Sequence, residues 1–256
     1  MRVRSTILKQ LIYGIFYLVI AVGVGYGSFL LFRSTATCSD NRQNQREEGV
    51  DCGGPCIACA IKALQPFTIS PITLVHGDEN TLSLFFNLSN PNASYGAEKF
   101  FYTVTLIGDA GAPVHTFTGS SYLYPSEIRT VADVGLVFPN AEEVIRADVV
   151  VSDVLWREAA LFTQPRLETR AVSLQRDPIT NELQIRGLLS NKNSFELARA
   201  GVGAVVRIAG IPLAVSKTVV TDLAAFEERS FFILVPNLED TLVALSDVTL
   251  FTEGVR

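Results

Sequence analysis

Four cysteines, Cys38, Cys52, Cys56 and Cys59, fall within twenty-two residues of this 256-residue chain. Asp40, Asn44, Glu47, Glu48 and Asp51 lie between the first and the second of them. Thiols at this spacing support two chemistries. In an oxidising compartment an even, tightly spaced set reads as two disulfides, with three connectivities open. The alternative is a tetrahedral zinc site of four thiolates, for which Cys56-x-x-Cys59 is suited, although Cys38 and Cys52 do not supply a second such knuckle. The oxygen side chains admit a hard cation such as calcium; the competing reading is a solvated loop around two bridges. Elsewhere the chain offers little chemistry. His76 and His115 stand outside any nucleophile–base–acid spacing, and both are expected at loop or strand-end positions in packing or solvated roles. Gly201-Val202-Gly203 lacks the third glycine and the following helix of a phosphate loop. Trp156, the single tryptophan, is expected in a core or at a domain junction.

What positions these cysteines is a short loop rich in glycine. Gly49, Gly53 and Gly54 permit sharp turns. The stretch resembles a cysteine module of pattern C-x-D-G-x-x-N-x-x-E-x-G-x-D-C-G-G-x-C-x-x-C, found in surface proteins of bacteria and archaea. Asp40, Asn44, Glu47, Gly49, Asp51, Cys52, Gly53, Gly54, Cys56 and Cys59 fall on that pattern. The usual glycine after the first aspartate is Asn41 here, which tolerates a left-handed backbone. The resemblance implies a calcium site at Asp40, Asn44, Glu47 and Asp51.

Before the module, Leu11 to Phe32 runs twenty-two residues without a charge. At about 1.5 Å per residue this is long enough to cross a hydrocarbon core of roughly 30 Å. Arg2, Arg4 and Lys9 precede it and no acidic residue occurs before position 40, which favours a cytoplasmic N-terminus and everything C-terminal outside. A cleaved signal peptide is the rival reading; its apolar run is normally shorter and ends in a small-x-small site. Gly23 and Gly27 form one GxxxG, a helix-packing pattern.

Beyond the module the pattern changes to period-2 alternation, as in Leu82-Ser83-Leu84-Phe85-Phe86 and Ala147-Asp148-Val149-Val150-Val151, interrupted by frequent turns. That rhythm predicts antiparallel β-sandwiches. The chain also repeats itself. Leu88-Ser89-Asn90-Pro91-Asn92 returns as Leu189-Ser190-Asn191-Lys192-Asn193, offset by 101; Leu136-Val137-Phe138-Pro139-Asn140 returns as Ile233-Leu234-Val235-Pro236-Asn237; and Glu127-Ile128-Arg129 parallels Glu227-Glu228-Arg229. Each copy resembles the Ig-like late-embryogenesis-abundant sandwiches of the water-stress and hypersensitive-response type. Lys192 in place of Pro91 makes the second turn the less rigid one.

The expected order is a cytoplasmic N-terminus over 1–10, a transmembrane helix over 11–33 anchored between Leu11 and Phe32, a disulfide-rich module over 34–60, and sandwiches over 61–164 and 165–256. The fold class is mainly β, with two tandem Ig-like sandwiches. The expected function is non-catalytic: a protein of the cell membrane, with its sandwiches outside, presenting them for binding or assembly, or serving as a subunit of a larger envelope complex. The partners are the bilayer and other surface or envelope proteins, with a homo-oligomer allowed. The net charge of −5 and the lack of a basic stripe argue against nucleic acid.

Overall fold

The computed structural model describes residues 2–32, 38–77, 80–180, 182–235 and 246–255, with side chains of the first helix over 9–30. Arg33, Thr35 to Thr37, Asn181, Pro236 and Asn237, and the side chains of Arg2, Arg4 and Phe32, lie outside the described residues. The chain forms two compact units, 1–64 and 65–256.

In the first unit a helix, α1, spans Arg2–Phe32, so it begins well before the apolar run that predicted it. The preceding residues contain neither glycine nor proline, and nothing in them stops a helix. The stretch Lys9–Leu30 is long and apolar enough to cross a membrane, as an anchor or as a signal sequence. Its apolar side chains stand exposed, among them Leu11 and Phe29. The cysteine module follows and closes on a single helical turn, α2, Cys59–Lys62.

The second unit is built from antiparallel sheets. Strands β1 (Thr68–Ile69) and β2 (Thr73–His76) share one edge of β3 (Thr81–Ser89), and β6 (Ile128–Val137) takes the other. The facing sheet is β5 (Pro113–Leu123), β4 (Tyr95–Gly108) and β7 (Val144–Glu158), with β4 central. The next sandwich pairs β8 (Leu167–Arg176), β9 (Leu183–Asn191) and β12 (Glu228–Leu234), facing β11 (Ile211–Leu223), β10 (Leu197–Ile208) and β13 (Ser246–Val255). The pairing order is the same in both. Even the break in the first edge strand recurs: Pro71, which cannot donate to a ladder, splits β1 from β2, and 101 residues later β8 slips register between Arg170 and Ser173.

Alternation builds each core. Leu82, Leu84, Phe86 and Leu88 on β3 meet Phe100, Tyr102, Val104 and Leu106 on β4. In the second sandwich Leu183, Ile185 and Leu189 meet Ala200, Val202, Ala204 and Val206. At the position matching Phe86 stands Gly187, and the bulk comes instead from its cross-strand neighbour: Phe231 pairs with Gly187 where Val131 pairs with Phe86. A Cβ on Gly187 would lie 2.8 Å from the Phe231 ring. Large and small have exchanged strands while the core stays filled, as dense packing requires.

Candidate functional site

Three places in the molecule concentrate polar and aromatic groups. In the module the bridges are Cys38–Cys56 and Cys52–Cys59, with S–S distances of 2.06 and 2.09 Å, and no free cysteine remains. All four sulfurs are therefore consumed, and the zinc alternative falls away. Gly49 allows the second bridge to close: a Cβ there would meet Cys52 Sγ at 2.9 Å and Cys59 Sγ at 3.2 Å. Asn41 adopts the left-handed backbone expected of it, at φ 59°.

Of the calcium-type side chains, Glu47 and Asp51 are buried, Asn44 is half-buried with its Oδ1 lacking a hydrogen-bond partner among the described residues, and Asp40 is exposed. Asp51 is buried, and its oxygens accept the backbone N–H groups of Asp40 at 2.9 Å and Asn41 at 3.1 Å. Glu47, also buried, accepts the backbone N–H groups of Asn44 at 3.1 Å and Asp51 at 3.3 Å. Asp40 accepts from Arg42 N and from Asn44 Nδ2 at 2.8 Å. Lys62, two residues past the expected end of the module at residue 60, also belongs to it, donating from Nζ to Val50 O at 3.0 Å and Asp51 O at 3.2 Å. Its position three residues after Cys59, on the same face of a helical turn, was the available signal.

The second place occurs twice. Asn90, 1% exposed, donates through Nδ2 to the carbonyls of Tyr95 and Tyr124 and accepts Asn92 N–H through Oδ1. Asn191, 1% exposed, donates to Phe195, Leu223 and Ala224 carbonyls and accepts Asn193 N–H. Asn92 and Asn193 each reach back to clasp the backbone entering their sandwich, at Gln65 and Arg166 respectively. These side chains thus tie three segments together at one end of each sandwich, replacing ladder bonds that the turn interrupts. The second turn is not the poorer for Lys192: its N–H donates to Arg166 O at 3.0 Å, a bond Pro91 cannot make. Glu127 and Glu227 cap the same turns by accepting Tyr124 N–H and Ala224 N–H, and each pairs with its arginine, Arg129 or Arg229. Backbone donation from Ala224, together with Arg229, holds the Glu227 carboxyl below its usual range.

The third place is the joint between the sandwiches. Val75, Phe85 and Ala132 on the outside of the first sandwich pack against Val205 and Val215 on the outside of the second, with Phe251 alongside. Gly201 and Gly203, rejected as a phosphate loop, lie inside β10 beside Glu253 and Phe251. A Cβ on Gly203 would overlap the Phe251 ring, so the missing side chains let Phe251 and Glu253 lie flat across the sheet at this joint. Polar bonds cross it: Lys217 Nζ donates to Ala132 O at 2.8 Å, Tyr122 Oη donates to Gly254 O at 2.7 Å, and Arg129 approaches Glu253 at 3.7 Å. Arg129 stacks 3.7 Å over the Tyr122 ring, while among the described residues its Nε and Nη1 find no hydrogen-bond acceptor. Burial pushes the Asp133 carboxyl up, against the opposing pull of Tyr102, whose hydroxyl donates to it, and of Lys217. Burial likewise raises Tyr124 to about 12.

Beside the joint opens a cleft of about 460 Å3 lined by Tyr122, Tyr124, Phe162 and Val255, with the Glu98–Arg157 ion pair at 2.7 Å among its walls. Its walls combine aromatic faces with an exposed charge pair. The histidines lie elsewhere. His115 stacks on Phe138 at 4.6 Å, and His76 is exposed at the end of β2. Trp156 packs on Phe67 at 5.0 Å in the first sandwich. Gly23 and Gly27 leave an open helix face, with nothing within 4 Å of an added Cβ.

No family model matches the chain, and no curated protein matches it. Among solved structures it is similar to red sea bream transglutaminase, at 8% identity and a TM-score of 0.23, over 76% of this chain and 30% of that one. The chain thus spans under a third of that structure, and a likeness at this score carries no argument about fold or activity.

Proposed function

We propose that this is a non-catalytic, membrane-anchored extracytoplasmic protein that presents two sandwiches as one body for binding or assembly at the cell surface. The observation that carries this reading is the joint. Two sandwiches that share an apolar outer face, with hydrogen bonds across it, make a stiff presenting unit rather than beads on a string. Two closed bridges favour an oxidising exterior, and the charge bias of Arg2, Arg4 and Lys9 favours the same orientation. We read the sandwiches as tandem copies of one Ig-like domain, supported by their common strand pairing and by the Asn90 and Asn191 clasps. The cleft at Tyr122 and Phe162 is the surface we assign to binding.

A second reading, a structural subunit of a larger envelope complex, is favoured by the open face at Gly23 and Gly27. Protease added to intact cells tests the first. We expect the roughly 220 residues after α1 to be degraded while the N-terminus survives. Full protection of those residues, in cells whose exposed control protein is digested, would refute the orientation.

A further inference from the structure

The oxygen ligands that the module's resemblance assigns to calcium do not fit that ion here. Calcium takes six to eight oxygens converging at about 2.4 Å. Asp40 and Asp51 spend their oxygens on N–H donors within the loop, and Glu47 spends Oε2 in the same way. The three carboxylates do not gather within 4.8 Å of one another, so the buried Asn44 Oδ1, which has no hydrogen-bond partner among the described residues, has no carboxylate cage to complete. Among the described residues, the one group of three acidic or sulfur side chains drawn within 4.8 Å is Cys38, Glu47 and Cys56, and its two sulfurs are already bonded to each other. Two of the loop's carbonyls are engaged as well: Gln43 Nε2 donates to Glu47 O and Glu48 O, both at 3.1 Å.

A positive charge nevertheless sits among oxygens in this module. Lys62 Nζ donates to Val50 O at 3.0 Å and Asp51 O at 3.2 Å, and lies 3.7 Å from Asp51 Oδ2. Two main-chain carbonyls and a carboxylate around one small cation are the kind of oxygen set that a hard metal ion recruits. We propose that the Lys62 ammonium is the module's resident cation, so that this module holds its shape without metal.

Local sequence explains how the charge arrives there. Cys52 follows Asp51 directly, and its bridge to Cys59 pins α2 beside the loop. Lys62, one turn on from Cys59, then projects along the same face toward Asp51. Asp51 needs such a partner: it is 3% exposed, and a buried carboxylate is retained only when its charge is met by donors or by a counter-charge. Two amide donors and one ammonium meet it here. The ammonium costs little to hold, because its side chain remains 45% exposed and its third proton can face water.

Hydrogen exchange over residues 38–62 of the full-length protein in nanodiscs tests this. The wild type is expected to show the same protection in millimolar calcium and in chelator. Lys62→Met, which keeps the length and apolar stem, should exchange about tenfold faster at the Asp40 and Asn41 amides in chelator. Lys62→Arg, which keeps the charge, should recover most of that protection. Protection of the wild type that rises with calcium would overturn the proposal. So would Lys62→Met exchanging like the wild type, or Lys62→Arg exchanging as fast as Lys62→Met, since the last result would make side-chain shape rather than charge responsible. None of these outcomes depends on which face of the membrane the module occupies.

Discussion

Arg129 and Arg229 stand 100 residues apart, each two positions after a glutamate that caps the turn before it, and each pairs with that glutamate. Their surroundings differ completely. Arg129 has a side chain 5% exposed, stacked on Tyr122 and facing Glu253 of the other sandwich. Arg229 is 39% exposed and donates to the carbonyls of Thr221 and Asp222. One local device has become a buried part of the joint in the first sandwich and a solvated clasp in the second. The same pairing of residues therefore does not imply the same energy; what lies over it decides.

The largest expected effect breaks this comparison directly. Arg129→Met removes the counter-charge of Glu127, whose side chain is 14% exposed, and the cation over the Tyr122 ring. Breaking one side of such a buried pair should cost about 3 kcal/mol, several degrees in Tm. Arg229→Met, at a pair exposed to solvent, should leave the melt within the scatter of replicates. Equal losses in the two variants would mean that the joint contributes nothing beyond the local clasp.

A smaller effect should unite the two sandwiches rather than divide them. Asn90→Ala and Asn191→Ala each strand buried carbonyls and a backbone amide, and each should cost about 2 kcal/mol in denaturant unfolding. A large loss for one and none for the other would show that the shared geometry hides different loads.

The smallest effect is a pH dependence. The Glu227 carboxyl titrates below its unfolded value, so its contribution is present above about pH 4.3 and is lost as pH falls through the folded value. Glu227→Gln should therefore flatten the acid limb of the stability curve, being slightly less stable than the wild type at pH 7 and converging with it at low pH. An acid limb identical to the wild type would assign the low-pH loss to other carboxylates.

The β character, the turn positions and the Asn-x-Asn repeat were legible in the residues because alternation and turn chemistry are local. The apolar helix was legible too, although its true start at Arg2 was not: the hydrophobic run marks what lipid would cover, whereas helix formation needs only the absence of a breaker. Gly201 and Gly203 could be rejected as a phosphate loop, but their use as a flat seat for Phe251 depends on a strand fifty residues away. The exchange of bulk between Phe86 with Val131 and Gly187 with Phe231 was similarly invisible, because it conserves filled volume rather than residue type at a position.

In the module, the spacing of four cysteines dictates that they close in pairs if oxidised, but not which pairs, since three connectivities share one spacing. Only the folded loop selected Cys38–Cys56 and Cys52–Cys59, and with them the approach of Lys62 to Asp51. In the sandwiches, residue order set the strands and the clasps, because these rest on the period of the backbone and on side chains bonding near neighbours. Tertiary structure decided that Phe85, Ala132 and Arg129 would be buried from outside their own sandwich. Burial is a property of what arrives from elsewhere in the chain, and no local pattern encodes it.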